Sequence, residues 1–122
     1  MSSEKARHLL LLINDLMFVS GLRSQAESAG WRVSTARNQE KLEGLLATGL
    51  LECDLLLLDL DARSNFNLDR MPAVLNLLLE QKHIAFYSHM DQDAYQAGKQ
   101  LGFSEIVPRS KLSDKVSSIL SQ

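Results

Sequence analysis

Polar side chains able to do chemistry stand directly after four short runs of strand character in this chain. Asn14 and Asp15 follow residues 9–13, Asp59 and Asp61 follow 55–58, Ser88 and His89 follow 84–87, and Arg109 follows 104–107 across Pro108. Converging carboxylates such as Asp15, Asp59 and Asp61 are the ligand type that Mg²⁺ takes. A serine hydroxyl and an arginine fork can bind the oxygens of a phosphate, and the imidazole of His89 titrates near neutrality. Each residue also has a plain structural reading. Asp59 can cap the loop that follows it, Asp15 and Asp61 can cap turns or helices, Ser88 can finish a strand by bonding backbone, and Arg109 with Lys111 can form a cationic spot at a helix start.

These residues share a site only if the elements before them run parallel and end at one edge. The apolar run 9–13 is continuous, the pattern of a strand buried on both faces of a parallel sheet. Phe18, Leu22, Ala26 and Ala29 then share one helical face, and Gly30 is placed to end that helix. Residues 31–35 alternate as a second strand. Asn38 caps a second helix with Leu42, Leu45 and Leu46 inward, closed by Gly49. The leucine run 55–58 is the central strand. Residues 61–68 are loop-like, and Asp69 caps a third helix whose first turn tolerates Pro72 and which runs through Leu79. A fourth strand covers 84–87, and Asp91 caps a helix carrying Ala94, Tyr95, Ala97 and Leu101 and closed by Gly102. After the fifth strand, 104–107, Val116, Ile119 and Leu120 mark the last helix.

Five strands alternating with five helices predict an α/β three-layer sandwich with a parallel sheet, since right-handed crossovers put helices on both faces. The expected order is flavodoxin-like, 2-1-3-4-5, with the site at the carboxyl ends of the strands near the switch point.

Size and charge bound the rest. The 122 residues (13.6 kDa) make one domain, expected to span the whole chain with its core at about 8–121. Folding hides roughly two-thirds of the unfolded chain's surface. Thirteen basic against fifteen acidic residues leave a net charge of −2, so no basic surface calls for nucleic acid or anionic lipid. The first apolar run is too short for a membrane span or a signal-peptide core. Cys53 is the single cysteine and reads as a small packed hydrophobe; a cytoplasmic location is expected. His8 and His83 precede strands and read as surface boundary residues. Trp31 and Phe66 are open between packing and anchoring a partner.

Taken together, the strand-end residues resemble the receiver domain of bacterial two-component response regulators (CheY-like) over nearly the whole chain, from about residue 9 to 120. The segment Asp54-Leu-Leu-Leu-Leu-Asp59 is similar to that family's third-strand signature, Ser88 follows 29 residues later and Arg109 after 21 more, and Gly102-Phe-Ser-Glu-Ile-Val-Pro-Arg109 is similar to its glycine-led fifth strand. The resemblance implies that Asp59 is the phosphoacceptor, that Asp15, Asp59 and Asp61 (the last through its carbonyl) position Mg²⁺, and that Ser88 and Arg109 bind phosphoryl oxygens.

It also marks departures. The family's acidic pair is reduced to Asn14-Asp15 or, if register is counted back from Gly30, to Ile13-Asn14 with no carboxylate. Arg109 replaces a lysine, Ile106 stands where an aromatic switch residue is usual, and His89 could roof the pocket.

The implied protein is an atypical receiver in signal transduction, similar to small stand-alone receiver-like proteins. It would be no enzyme beyond phosphorylating and dephosphorylating itself at Asp59, with Mg²⁺ weak or absent. Its partners would be proteins, a histidine kinase or a downstream signalling protein, or a second copy bound through the fourth helix, fifth strand and fifth helix. That surface includes Tyr95, Lys99, Lys111, Asp114 and Lys115. A conventional Mg²⁺-dependent phosphoacceptor is the alternative. A small flavodoxin-like enzyme or cofactor carrier is a third reading, but Gly-x-Gly-x-x-Gly, Walker-type and Asp-x-His-x-x-Gly motifs are all absent.

Overall fold

The computed structural model describes residues 7–48, 53–77, 82–88 and 92–121. In chain order they form β1 (His8–Leu12), α1 (Leu16–Ser28), β2 (Arg32–Thr35), α2 (Gln39–Ala47) and β3 (Leu55–Asp59). A 3-10 segment (Leu60–Asn65) follows, then α3 (Met71–Leu77), β4 (Lys82–Tyr87), α4 (Gln92–Leu101), β5 (Glu105–Pro108) and α5 (Arg109–Leu120). The strands make one parallel sheet in the order β2-β1-β3-β4-β5, the flavodoxin-like α/β architecture expected.

Side-chain alternation explains why the strands read as unbroken apolar runs. Leu9, Leu11, Leu55, Leu57, Ile84 and Phe86 pack on one face with the buried residues of α1 and α5. Leu10, Leu12, Leu56, Leu58 and Ala85 pack on the other with α2, α3 and α4. Every residue of β1 and β3 is therefore buried, as a sheet covered on both faces requires.

Turn chemistry follows the residue types. Gly30 (φ 86°) and Gly102 (φ 90°) take the left-handed conformation after α1 and α4. Asn38 caps α2 by accepting from Lys41 N–H at 2.9 Å. The ends of the second and third helices, Gly49, Leu78 and Leu79, and the cap Asp91 lie outside the described residues.

Local corrections have physical causes. Residues 60–65 are helical rather than loop, because the Asp59 carboxylate accepts from Asp61 N–H at 2.9 Å and closes the first turn. Asp69 does not stand at the cap of α3: the helix begins at Met71, two residues later, and Asn67 Oδ1 accepts from Asp69 N–H at 3.1 Å. Trp31 and Phe66 are packing residues. Both are buried, and the Trp31 indole donates to Leu120 O at 3.3 Å, tying β2's entrance to the end of α5.

The two strand-leading histidines are not surface residues of the expected kind. His8 is buried, its Nε2 lying 2.7 Å from Ser34 Oγ. His83 is half-buried, stands edge-on to Phe103, and accepts from Ser104 N–H at Nδ1 (2.9 Å), while Ser104 Oγ donates to His83 O at 2.6 Å. An imidazole that accepts at Nδ1 is neutral there, and burial holds its pKa below the ordinary 6.5. The unfolded chain therefore takes up the proton first. Stability contributed by this contact is complete above pH 6.5 and falls as the pH drops from 6.5 through the folded-state value. A proton NMR titration of the His83 ring should give a midpoint below 6.5, and in His83→Gln the acid-side loss of stability should shrink.

Candidate functional site

The parallel register carries the ends of β1, β3, β4 and β5 to one edge. Leu12 pairs with Leu58, and Asp59 with Phe86. Asp15, Asp59, Asp61, Ser88 and Arg109 all stand there, with Asn14 exposed next to Asp15. His89 lies outside the described residues.

Asp15 is the N-cap of α1. Its Oδ1 accepts from Met17 and Phe18 N–H at 3.1 Å each, and its Oδ2 pairs with Arg109 Nη2 at 3.1 Å. Those donors lower its pKa, the Phe18 N–H most and Arg109 next. Asp59 is buried, 5% exposed. Desolvation raises its pKa, and the nearby Asp61 and Asp15 charges act in the same direction; the Asp61 N–H and the Arg109 charge oppose the shift. Asp61 is exposed and accepts at Oδ2 from both Ser88 N–H (2.9 Å) and the Ser88 hydroxyl.

Arg109 opens α5 directly after Pro108, which forms the N-cap without a side-chain hydrogen bond. Its guanidinium carbon lies over the Phe18 ring, 3.9 Å from the centroid, a cation–π contact. Phe18 in turn meets Phe86 edge-on at 5.4 Å and 61°. The arginine is thus linked to the core through two aromatic rings.

A divalent cation needs a set of free oxygens. Among the described residues no three Asp, Glu, His or Cys side chains gather into a group able to hold a metal. Asp15 is engaged by a helix cap and an arginine, and one oxygen of Asp61 by both donors of Ser88. At the expected Mg²⁺ set of Asp15, Asp59 and Asp61, Asp15 Oδ2 is paired with Arg109 and Asp61 Oδ2 with Ser88, so the carboxylates as arranged do not form a ready cation site, and an ion there would compete with those donors.

Ile106, at the switch position, is half-buried and packs against the core cluster of α2, α3 and α4. It lies under α4, where a Cβ at Gly98 would sit 3.0 Å from Ile106 Cδ1 and 3.3 Å from Leu60 Cδ1. A side chain at this position would push the Ile106 and Leu60 side chains aside. Gly98→Val should therefore destabilise by about 1–3 kcal/mol through overpacking, read as a lowered denaturant midpoint. Cys53 has its thiol pushed up to about 12, by burial first and then by Asp54, so it supplies no thiolate.

The helical pattern of α1 did not reveal its first turn. Leu16 (67%) and Met17 (87%) are strongly exposed. Leu16 lines a cleft of about 140 Å³ with Ile13, Val19, Thr35, Arg37 and Lys41. Met17 lines another of about 230 Å³ on the α5 side with Phe18, Gly21, Leu22, Gln25 and Ser113. A signal was available: two large apolar residues follow the Asp15 cap yet fall outside the Phe18–Leu22–Ala26 face.

No known protein family's sequence profile matches the chain, and no curated protein matches it. Solved structures do. A receiver domain protein (CheY-like) from Methanospirillum hungatei JF-1 is similar at TM-score 0.73 and 15% identity, over 95% of this chain and 94% of the other. The non-phosphorylated HemR receiver domain from Leptospira biflexa gives 0.70 and 20%, over 97% and 96%. A response regulator from Burkholderia pseudomallei, solved with a phosphorylated aspartic acid, calcium ion and citrate, gives 0.70 and 15%, over 93% of this chain and 70% of that one. At these identities the likeness is one of fold: this chain has the fold of response regulator receiver domains.

Proposed function

We propose that this chain, folded as a receiver domain, is an atypical receiver module that works in signal transduction through protein–protein contact rather than through phosphorylation of Asp59. One observation carries the reading. The two groups that the resemblance assigns to a phosphoryl group are each bonded to a carboxylate, Ser88 to Asp61 and Arg109 to Asp15. An incoming phosphoryl group would have to break both contacts, and it would add negative charge beside a buried carboxylate. No activity on another substrate belongs to this reading.

Incubation with acetyl phosphate and Mg²⁺, read by intact mass, should leave the chain unmodified while a working receiver in the same tube gains a phosphoryl group. A mass gain that disappears in Asp59→Asn would overturn the proposal. It would establish the conventional alternative, in which an Asp59 carboxylate oxygen attacks the phosphorus of acetyl phosphate, the bond from phosphorus to the acetyl oxygen breaks, acetate leaves, and Asp59 keeps the phosphoryl group. The position of Asp59 at the end of the central strand is what favours that alternative.

The contact proposed for a second copy is the face of α4, β5 and α5. Tyr95 is 39% exposed there with Lys99 Nζ 5.6 Å from its ring centroid, and Lys115 pairs with Glu105 at 2.5 Å. Such a mainly polar face supports modest, salt-sensitive association. Light scattering should show the weight-average mass rising with protein concentration and falling back at high ionic strength. A strict monomer at all concentrations would remove self-association and leave Leu16 and Met17 as the more exposed apolar contact for a different protein.

A further inference from the structure

The acidic edge already contains a cation, and it belongs to the chain. Three carboxylates face this edge, and Asp61 is served by the neutral donors of Ser88. Asp15 and Asp59 each accept backbone N–H groups at Oδ1, and among the described residues the cation paired at this edge is Arg109, 3.1 Å from Asp15 Oδ2. We infer that Arg109 is the resident counter-ion of Asp15 and Asp59, neutralising the edge that a divalent cation would otherwise have to neutralise.

Three features make the arginine suited to this. It is the first residue of α5, where a positive charge works against the helix dipole; no acidic side chain lies in that first turn, so the offset comes from Asp15, 94 positions away. Its guanidinium carbon lies over the Phe18 ring, and Phe18 is set edge-on against Phe86, the strand neighbour of Asp59. The charge is therefore held in place by core packing. A lysine would keep the charge but lose the flat face and the fork. A tethered cation also acts at a high effective concentration, against which a dissolved ion must compete.

This inference deepens the proposed function and rests on its loss of metal-dependent phosphotransfer. Thermal unfolding in millimolar MgCl₂, against NaCl of matched ionic strength, tests it on the intact chain. The wild type should show no Mg²⁺-specific shift of its midpoint. Arg109→Gln, which removes the charge and keeps the bulk of the stem, should unfold at lower temperature and recover part of the loss specifically in Mg²⁺, since a ligand bound by the folded state raises the midpoint. Arg109→Lys, which keeps the charge without the flat face and the fork, should fall between the wild type and Arg109→Gln, and Arg109→Gln combined with Asp15→Asn should lose the recovery. A wild type stabilised by Mg²⁺, or an Arg109→Gln variant indifferent to it, overturns the inference. A wild type that is phosphorylated yet indifferent to Mg²⁺ would overturn the proposed function and leave Arg109 as the counter-ion.

Discussion

Asp59→Asn is expected to stabilise the fold at neutral pH by about 1–3 kcal/mol, the range for a buried polar group whose desolvation is incompletely offset. Asn keeps the Oδ1 acceptor that caps the 3-10 segment through Asp61 N–H. It removes a charge that sits 5% exposed beside two further carboxylates. The pH dependence follows from the raised pKa. The unfolded chain loses this proton at about the ordinary value of 3.8, and the folded chain loses it later. Wild-type stability therefore falls, relative to the variant, as pH rises from 3.8 through the folded-state value; above that the gap is constant, and below 3.8 it closes. Urea unfolding of both proteins from acid to neutral pH measures it. Equal or lower stability of Asp59→Asn at neutral pH would show that the Asp59 carboxylate is satisfied by contacts other than Asp61 N–H and the Arg109 charge.

The second large effect lies in the sheet. Leu57 is fully buried in the central strand, registered against Leu11 on one side and Ile84 on the other, and packs toward α1 and α5. Leu57→Ala removes that packing and leaves a cavity, for about 2–5 kcal/mol. For a domain whose total stability is about 5–15 kcal/mol, the melting temperature should fall by about 10 °C or more. Met17→Ala is the matched control. At 87% exposure it should change stability by no more than about 0.5 kcal/mol, so a large effect there would mean that α1's first turn is covered by another chain under the conditions of the assay.

What could be read from the residues divides by the range of the interaction. The leucine run of β3, the Asn38 cap and the glycines after α1 and α4 are local signals, each encoded within a few positions, and the structure follows them. The strand order came from the alternation of elements, because handedness and short connections leave few arrangements. Which residues reach the common edge was therefore legible. How they pair there was not: Arg109 meets Asp15 across 94 positions and Ser88 meets Asp61 across 27, and such pairings depend on rotamers that no pattern of residue types fixes. The burial of His8 is similar. Its neighbour Ser34 is supplied by β2, and an imidazole at a strand's first position looks like a boundary residue until that partner is in place.

The close approach of α4 to β5 at Gly98 bears on information transfer. Two distant sites communicate only when both bias one equilibrium between alternative packings, and the strength of the message is a coupling free energy. Ile106 has no hydroxyl to exchange between partners, and its branched side chain lies close beneath Gly98. Under the proposed function, which needs no phosphorylation at Asp59, the expected coupling between the carboxylate edge and the outer face of α4 is weak. A partner bound at α4 would sense how much of this protein is present, and events at Asp59 would change its affinity little.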